Sequence, residues 1–273
     1  MIEILKAIIL GIIEGMTEWL PVSSTGHMIL VDEFIRLDTS AEFKEMFFVV
    51  IQLGAILAVV TMFFKRLWPF SGGRNGIGVK KDVLSLWVKI FIACVPAGVI
   101  GILLDDRITE LFFNYQTVAA ALIVYGVLFI LVERRRGADG AGITDVSGIT
   151  YKTALFVGLF QVLALIPGTS RSGATILGGI LIGMSRTAAA EFSFFLAVPV
   201  MLGASLLKLL KFGFVFSGTE LAVLAAGFIA AFLVSVLAIR FLVNFVKEHD
   251  FKVFGGYRII LGAAVLAFFL IFG

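Results

Sequence analysis

Two short stretches of an otherwise apolar chain carry the residues that could do chemistry. The first reads EGMTEWLPVSSTGH, from Glu14 to His27, and combines two carboxylates, several hydroxyls and a histidine. The second reads PGTSRSGAT, from Pro167 to Thr175, and has an arginine at its centre. Charged side chains are costly at bilayer depth and mark function when they occur there. We therefore expect these two stretches to form one site.

The first stretch opens with a pair of acids. Glu14 and Glu18 are four residues apart, so on a helix they share one face. Two carboxylates in one cavity repel each other unless a divalent cation, an arginine or a proton neutralises them. Mg²⁺ and Ca²⁺ are hard cations that bind carboxylate oxygens, so the pair is a candidate metal site. The alternative is that both acids lie at an aqueous surface on an amphipathic segment.

Hydroxyls and a histidine follow the acids. Ser23, Ser24 and Thr25 come after Pro21, at a turn expected to open a half-helix whose free N–H groups suit an anion. Their hydroxyls can donate to phosphate oxygens, or one of them can attack phosphorus. His27 lies three residues after Ser24 and could be its base, or the acid for a leaving group. Such hydroxyls are also common helix caps, and a lone histidine is often structural.

The second stretch adds three further candidate hydroxyls and one arginine, which are Ser170, Ser172, Thr175 and Arg171. The guanidinium of Arg171 is a planar, always-charged fork suited to two phosphate oxygens. It could equally pair with Glu14 or Glu18 and hold two parts of the chain together. Phosphoryl transfer needs mainly positioning and charge neutralisation, and the combined set supplies both. The residues therefore favour cleavage of a phosphate ester or anhydride presented from the membrane; a transporter or lipid flippase is the alternative.

The composition is that of an integral membrane protein. The 273 residues are 60% hydrophobic and 15% charged, with a mean hydropathy of +1.08. Soluble domains have roughly 45–50% apolar and about 25% charged residues. The net charge of +3 does not indicate nucleic-acid binding, because the basic residues lie in loops between apolar spans, where they set membrane orientation.

Hydropathy divides the chain into spans. A helix needs about 20 apolar residues to cross the hydrocarbon. Six stretches approach that length: Met46–Phe64, Val83–Leu104, Leu111–Val132, Phe192–Leu207, Leu221–Ile239 and Val253–Gly273. Two more, Ala7–Val31 and Thr153–Ser185, are interrupted by the two polar stretches, so we expect re-entrant helix hairpins there. The Gly-rich Ser71–Gly78 lacks the ending of a phosphate loop and is expected to be a flexible loop.

The two halves of the chain resemble each other. Gly11–Gly26 aligns with Gly158–Gly173 at an offset of 147 residues. Each half then holds one re-entrant hairpin and three crossings; three is odd, so the second half must be inverted. The predicted fold is an all-α polytopic membrane protein: a single domain over 1–273, with two inverted-topology repeats over 1–136 and 151–273. Chance similarity between apolar segments is the alternative.

Basic residues test this topology. With the N-terminus outside, the inside loops hold thirteen of them: Lys65, Arg66, Arg74, Lys80, Lys81, Arg134, Arg135, Arg136, Lys152, Arg186, Arg240, Lys247 and Lys252. The outside holds six: Lys6, Arg36, Lys44, Arg107, Lys208 and Lys211. Lys89, Arg171 and Arg258 lie within spans. This bias predicts that both termini face the outside.

The two polar motifs, on a chain of this length and hydropathy, closely resemble the bacterial undecaprenyl-diphosphatase family known for bacitracin resistance. The resemblance covers essentially the whole chain. It implies hydrolysis of undecaprenyl diphosphate to undecaprenyl phosphate plus phosphate, which recycles the lipid carrier of peptidoglycan synthesis. It also implies assistance by Mg²⁺ or Ca²⁺, the bacterial inner membrane as location, and a site open to the periplasm.

The same resemblance carries roles onto particular residues. Glu14 and Glu18 form the family's acidic, metal-binding motif, and Ser23, Ser24 and Thr25 form its hydroxyl turn, followed by His27. Ser170, Arg171 and Thr175 lie at the phosphates, joined by the neighbouring Ser172. We take Ser24 as the nucleophile with His27 as its proton-transfer partner; water activated by the metal is the alternative. A homodimer is compatible with the sequence.

Overall fold

The computed structural model describes residues 1–73, 76–135, 141–213 and 216–272. Its helices, numbered in chain order, are α1 (Ile2–Thr17), α2 (Ser24–Phe34), α3 (Ala41–Met62), α4 (Phe64–Leu67), α5 (Lys81–Phe112), α6 (Tyr115–Arg135), α7 (Tyr151–Val162), α8 (Arg171–Leu181), α9 (Arg186–Phe212), α10 (Gly218–Glu248) and α11 (Lys252–Phe272). Two short 3-10 turns span Val146–Gly148 and Leu163–Leu165. The predicted all-α class is confirmed.

One short ribbon departs from the expected helices and loops. Strands β1 (Phe70–Gly73) and β2 (Gly76–Val79) pair antiparallel, with Phe70 opposite Val79. The sequence predicted a flexible loop here; instead the backbone N–H and C=O groups satisfy one another across the ribbon, which needs no side-chain packing. Arg74 and Arg136, both counted in the topology argument, lie outside the described residues, as does the end of the predicted repeat 1–136.

Within the described residues, six helices are long and apolar enough to cross a membrane. They are α3, the Lys81–Leu104 part of α5, α6, α9, α10 and α11. Large apolar side chains point outward from them, for example Ile102 and Leu270. An apolar surface of this kind suits hydrocarbon rather than water. The six predicted spans are therefore confirmed, and the protein is a multi-pass membrane protein.

The first interrupted stretch folds as a hairpin. Helix α1 ends at a turn, and α2 begins at the other end of that turn. The start of α1 contacts the segment after α2: Lys6 Nζ donates to the Arg36 carbonyl at 2.7 Å, and the Asp38 N–H donates to Glu3 at 2.8 Å. Both ends of the hairpin therefore lie together. The turn between its arms lies at the far end of both helices.

The second interrupted stretch repeats this arrangement with α7 and α8. The segment before α7 meets the one after α8: the Ile143 N–H donates to the Gly183 carbonyl at 3.2 Å, and the Ser185 N–H donates to the Ile143 carbonyl at 2.7 Å. This hairpin too returns to the side from which it began.

Helix pairing follows a two-fold pattern. Helix α1 packs on α10 and α7 packs on α5, while α6 meets α11 and α3 meets α9. Small residues allow the close crossings: a Cβ on Gly126 would lie 2.7 Å from the Gly255 carbonyl oxygen, and the converse holds at the same distance. An inverted repeat would produce this pairing; the inverted arrangement itself stays a prediction.

Ion pairs between elements separate into two groups. Lys44 pairs with Asp32, and Lys208 with Glu45. The other group joins Arg66 to Asp145 and Glu191, and Arg186 to Glu133. Each group contains basic residues that the sequence assigns to one side of the membrane only. The pairs therefore agree with the predicted division of loops, although they do not say which side is outside.

Candidate active site

The two turns that join the hairpin arms have the same unusual backbone. Ser23 and Ser170, 147 residues apart, are the two non-glycine residues with positive φ in the described chain, at 74° and 71°. Each is the N-cap of the following half-helix: its hydroxyl accepts a bond from the N–H three residues on, Gly26 or Gly173, at 3.2 Å. Such backbone costs roughly 1–3 kcal/mol and recurs at functional sites. The capping role considered for Ser23 is therefore present, and Ser170 caps α8 in the same way.

Glu18 connects the two turns. Its carboxylate accepts a bond from the Ser24 hydroxyl at 3.1 Å and from Arg171 Nη2 at 3.2 Å. Its backbone carbonyl accepts a bond from the Ser172 hydroxyl at 3.1 Å. The structure thus brings together the acid of the first half-helix, the hydroxyl of the second, and the arginine of the other hairpin. Ser24 and Arg171 hold equivalent positions in the 147-residue alignment and contact the same carboxylate.

Arg171 is enclosed by protein. Its side chain is 10% exposed, Nη1 donates to the Ser193 carbonyl at 2.6 Å, and its guanidinium lies 5.8 Å from the Trp19 ring centroid. Arg171 therefore forms the ion pair with Glu18 that the sequence allowed as a structural role. Arg171 Nε is nevertheless buried without a hydrogen-bond partner among the described residues. A guanidinium donor therefore remains for an anion.

Glu14 lies one turn before Glu18 and is 2% exposed. Its carboxylate interacts with Glu18 and with the Gln52 side chain, yet Glu14 Oε1 has no hydrogen-bond partner among the described residues. A buried carboxylate oxygen without a hydrogen-bond donor suits a divalent cation. No group of three or more His, Cys, Asp or Glu side chains suited to a metal occurs in the described chain, so substrate oxygens or water would complete the shell. The sequence did not point to Gln52.

His27 is engaged away from Ser24. Its Nδ1 lies 2.7 Å from the Ser23 carbonyl oxygen and its Nε2 lies 2.6 Å from the Tyr257 hydroxyl. The Ser24 hydroxyl donates to Glu18 instead. The expected proton transfer between Ser24 and His27 therefore has no hydrogen bond to carry it in this conformation, and Glu18 occupies that position.

The remaining hydroxyls differ in whether they already make hydrogen bonds within the protein. Thr175 Oγ1 donates to the Arg171 carbonyl at 2.8 Å and to Ser193 Oγ at 2.7 Å, so it supports the turn from behind. The Ser172 hydroxyl donates to the Leu20 carbonyl as well as to the Glu18 carbonyl. Thr25 makes no side-chain hydrogen bond among the described residues. The sequence-predicted set is thus brought together, with Ser172 and Thr175 building the turns.

One buried cation that the sequence left without a role joins both turns. Arg258 on α11 is fully buried and donates to the carbonyls of Pro21, Gly168 and Thr169 at 2.8–3.1 Å. Pro21 belongs to the first turn, and Gly168 and Thr169 to the second. The signal was visible in the sequence, since a charge inside a span indicates function.

Comparisons with known proteins bear on the whole chain. A family model described as "Bacitracin resistance protein BacA" matches residues 7–264. A protein of Acetivibrio thermocellus named undecaprenyl-diphosphatase is 61% identical over 270 residues, 99% of each chain. A protein of Desulfitobacterium hafniense with the same name is 60% identical over 98% of this chain and 97% of its own. An undecaprenyl-diphosphatase of Enterococcus faecalis is 60% identical over 97% and 96%.

Proposed function

Because this chain belongs to the bacitracin-resistance BacA family, we propose that Ser24, Glu18 and Arg171 carry the reaction of that family on its lipid substrate. The enzyme hydrolyses undecaprenyl diphosphate to undecaprenyl phosphate and phosphate. Its product is the lipid carrier on which cell-wall polymers are built.

One observation carries the assignment of residues: the hydrogen-bonded chain from the Ser24 hydroxyl through the Glu18 carboxylate to Arg171. In the proposed reaction, Ser24 Oγ attacks the terminal phosphorus while its proton passes to Glu18 Oε2. The bond from phosphorus to the bridging oxygen breaks, and undecaprenyl phosphate leaves. Water then cleaves the phosphoserine and releases phosphate, and the proton returns to Ser24.

Arg171 and the turn backbones neutralise the phosphate charge in this proposal. Arginine presents five donors in one plane, so it can keep its bond to Glu18 while another donor meets a phosphate oxygen. The half-helices α2 and α8 both begin at these turns, and helix N-termini favour anions. Thr25 and Ser170, which belong to the same two turns, are the proposed further contacts to phosphate oxygens.

A divalent cation fits Glu14 and Glu18. The unpartnered oxygen of Glu14 beside Glu18 supports this pair as ligands of Mg²⁺ or Ca²⁺, with Gln52 close by. When bound, the cation would withdraw charge from the phosphate oxygens. We expect EDTA to abolish turnover and Glu14→Gln to raise the Mg²⁺ concentration needed for half-maximal rate. Unchanged turnover in EDTA would exclude the metal.

The location of the site extends the proposal. The protein crosses the membrane several times, and the inner membrane with the site and both termini on the periplasmic side is our inference from the basic-residue bias. The isoprenoid chain of the substrate would lie along the apolar outer surface of the spans. A homodimer stays a prediction.

The test of the nucleophile is a trapping experiment on pure protein in detergent. With undecaprenyl diphosphate labelled by ³²P at the terminal phosphate, rapid acid quench should leave label on the protein, and Ser24→Ala should abolish both label and turnover while keeping substrate affinity. Ser205→Ala is the control, since Ser205 is a buried serine bonded to the Val49 carbonyl rather than to the turns.

Two outcomes contradict the assignment. If Ser24→Ala retains a tenth or more of wild-type turnover, the nucleophile is water and Ser24 is only an oxygen-binding group. Label that survives in Ser24→Ala would place the covalent intermediate on another residue.

A further inference from the structure

The bonds of His27 define its tautomer. The Ser23 carbonyl oxygen can only accept a hydrogen bond, so Nδ1, 2.7 Å away, carries the hydrogen. Nε2 of the neutral ring is then the basic nitrogen, and the Tyr257 hydroxyl, 2.6 Å away, donates to it. The two rings are also stacked, with centroids 5.6 Å apart and planes 12° from parallel. His27 is thus held at both nitrogens by residues 230 positions apart in the chain.

We propose that Tyr257 is a positioning residue for His27. It fixes the imidazole with hydrogen on Nδ1 and leaves Nε2 as the basic nitrogen, which takes a proton from the water that attacks phosphorus once the Tyr257 hydroxyl gives up its bond to Nε2. Nδ1 cannot take this proton because it already carries a hydrogen, which it donates to the Ser23 carbonyl of the turn. The inference rests on the proposed function only in taking the two turns as the phosphate site; the tautomer is a property of the resting enzyme.

The next residue of α11 fixes the place of the tyrosine. Arg258 is anchored by three carbonyls of the two turns, so α11 cannot slide or rotate against them without breaking buried bonds of a charged group. Tyr257, one residue earlier, therefore presents its hydroxyl at a set position beside α2. Tyr257 is 45% exposed, so the His27–Tyr257 pair lies at the outer edge of the two turns.

The kinetic role follows from this arrangement. A histidine that rotates freely, or that changes tautomer, offers its basic nitrogen to the substrate only part of the time. A tyrosine that locks the ring raises the fraction of enzyme ready for proton transfer without itself binding substrate. Its removal should therefore lower kcat more than it changes KM.

The first measurement is spectroscopic and uses the scarcity of histidine. The chain has two histidines, and the other, His249, ends α10 and stacks on Phe245 at 4.5 Å. In ¹⁵N-histidine-labelled enzyme in detergent, we expect His27 as the Nδ1–H tautomer. Tyr257→Phe keeps the stacked ring and removes the hydroxyl, so the His27 Nε2 resonance should move while that of His249 stays. The unmoved His249 signal also reports that the variant is folded.

Tyr115→Phe is the matched control. Tyr115 stacks on Phe269 at 4.8 Å where α6 packs on α11, and its side chain makes no hydrogen bond to either turn among the described residues. It should leave both histidine spectra and turnover unchanged. A dominant Nε2–H tautomer in the wild type, or a His27 spectrum that Tyr257→Phe does not alter, would overturn the proposal.

The second measurement is a double-mutant cycle on kcat. Tyr257→Phe should lower kcat roughly three- to tenfold, as the loss of one neutral hydrogen bond implies, with KM changed less than about twofold. In a His27→Ala background, Tyr257→Phe should have no further effect, because its role acts through His27. Additive losses would show that Tyr257 acts independently of His27. Failure of the Ser24 assignment would appear in the trapping experiment and would leave the tautomer and this coupling untouched.

Discussion

At the scale of single residues, Glu18 is the acid whose carboxylate links the two hairpins. It accepts hydrogen bonds from Ser24 on its own hairpin and from Arg171 on the other, both within 3.2 Å. The two sequence-based interpretations of Arg171, phosphate clamp and bond between halves, are therefore compatible. A guanidinium can donate to Glu18 and Ser193 and still keep a donor for the substrate.

Replacement of Arg171 by lysine separates geometry from charge. Lysine keeps the charge but offers one ammonium, which cannot donate in one plane to Glu18, the Ser193 carbonyl and a phosphate oxygen. Loss of one charge-assisted bond of about 1.5–3 kcal/mol predicts a fall in kcat/KM of roughly ten- to over a hundredfold. Phosphate release from undecaprenyl diphosphate in detergent measures it.

Arg186→Lys is the control for that substitution. Arg186 donates through two nitrogens to Glu133, away from the two turns, so its replacement should leave kcat/KM near the wild-type value. Near wild-type kcat/KM for Arg171→Lys would show instead that Arg171 supplies only charge at the site.

At the scale of elements, small residues at helix crossings set the positions of the hairpins. A Cβ on Gly158 of α7 would lie 2.5 Å from the Ala93 carbonyl oxygen of α5, well inside contact distance. The equivalent arm α1 uses Gly15 in the same way, since a Cβ there would lie 2.5 Å from the Ala231 carbonyl oxygen of α10. In a membrane, close backbone approach of this kind holds helices together.

Gly158→Ala should destabilise the protein because the backbones of α5 and α7 must move apart. Overpacking of this kind costs about 1–3 kcal/mol, so the thermal unfolding temperature in detergent should fall. Gly98→Ala on α5 is the control: a Cβ there meets nothing within 4 Å, and alanine is the better helix former. Equal unfolding temperatures for the two variants would contradict a tight α5–α7 crossing.

At the scale of the whole molecule, the charged residues define two surfaces. Pairs such as Lys208 with Glu45 belong to one surface, and pairs such as Arg186 with Glu133 to the other. The first hairpin begins beside Lys6, and the second begins near Asp145, a partner of Arg66. The two hairpins thus start among opposite groups of ion pairs, which is what inverted repeats would require.

Cysteine labelling tests which surface is outside. Ser40 precedes α3 and Ser71 lies in β1, on loops assigned to opposite faces. In a Cys94-free background, Ser40→Cys should react with an impermeant maleimide in intact cells, and Ser71→Cys should react only after permeabilisation. Equal labelling in intact cells would refute the inverted topology, and labelling of Ser71→Cys alone would reverse the orientation.

The sequence by itself determined the class of the protein, its six spans and its two interrupted hairpins, and it pointed to the two turns that the fold brings together. Hydropathy, helix period and turn residues act over a few neighbours, so such features can be read locally. The two motifs were equally local, and the family resemblance followed from them. The sequence did not predict the ribbon of β1 and β2, because backbone pairing of this kind leaves little pattern in the side chains.

Only the tertiary structure decided how those residues divide the work. The sequence suggested His27 as the partner of Ser24 because they are three residues apart, whereas the fold pairs Ser24 with Glu18 and His27 with Tyr257. Arg258 had been visible as a charge within a span, but its three carbonyl partners lie about 90 and 237 residues away. Hydrogen bonds form across distances of about 3 Å between segments far apart in the chain. Helix packing brings these segments together, and no local pattern encodes it.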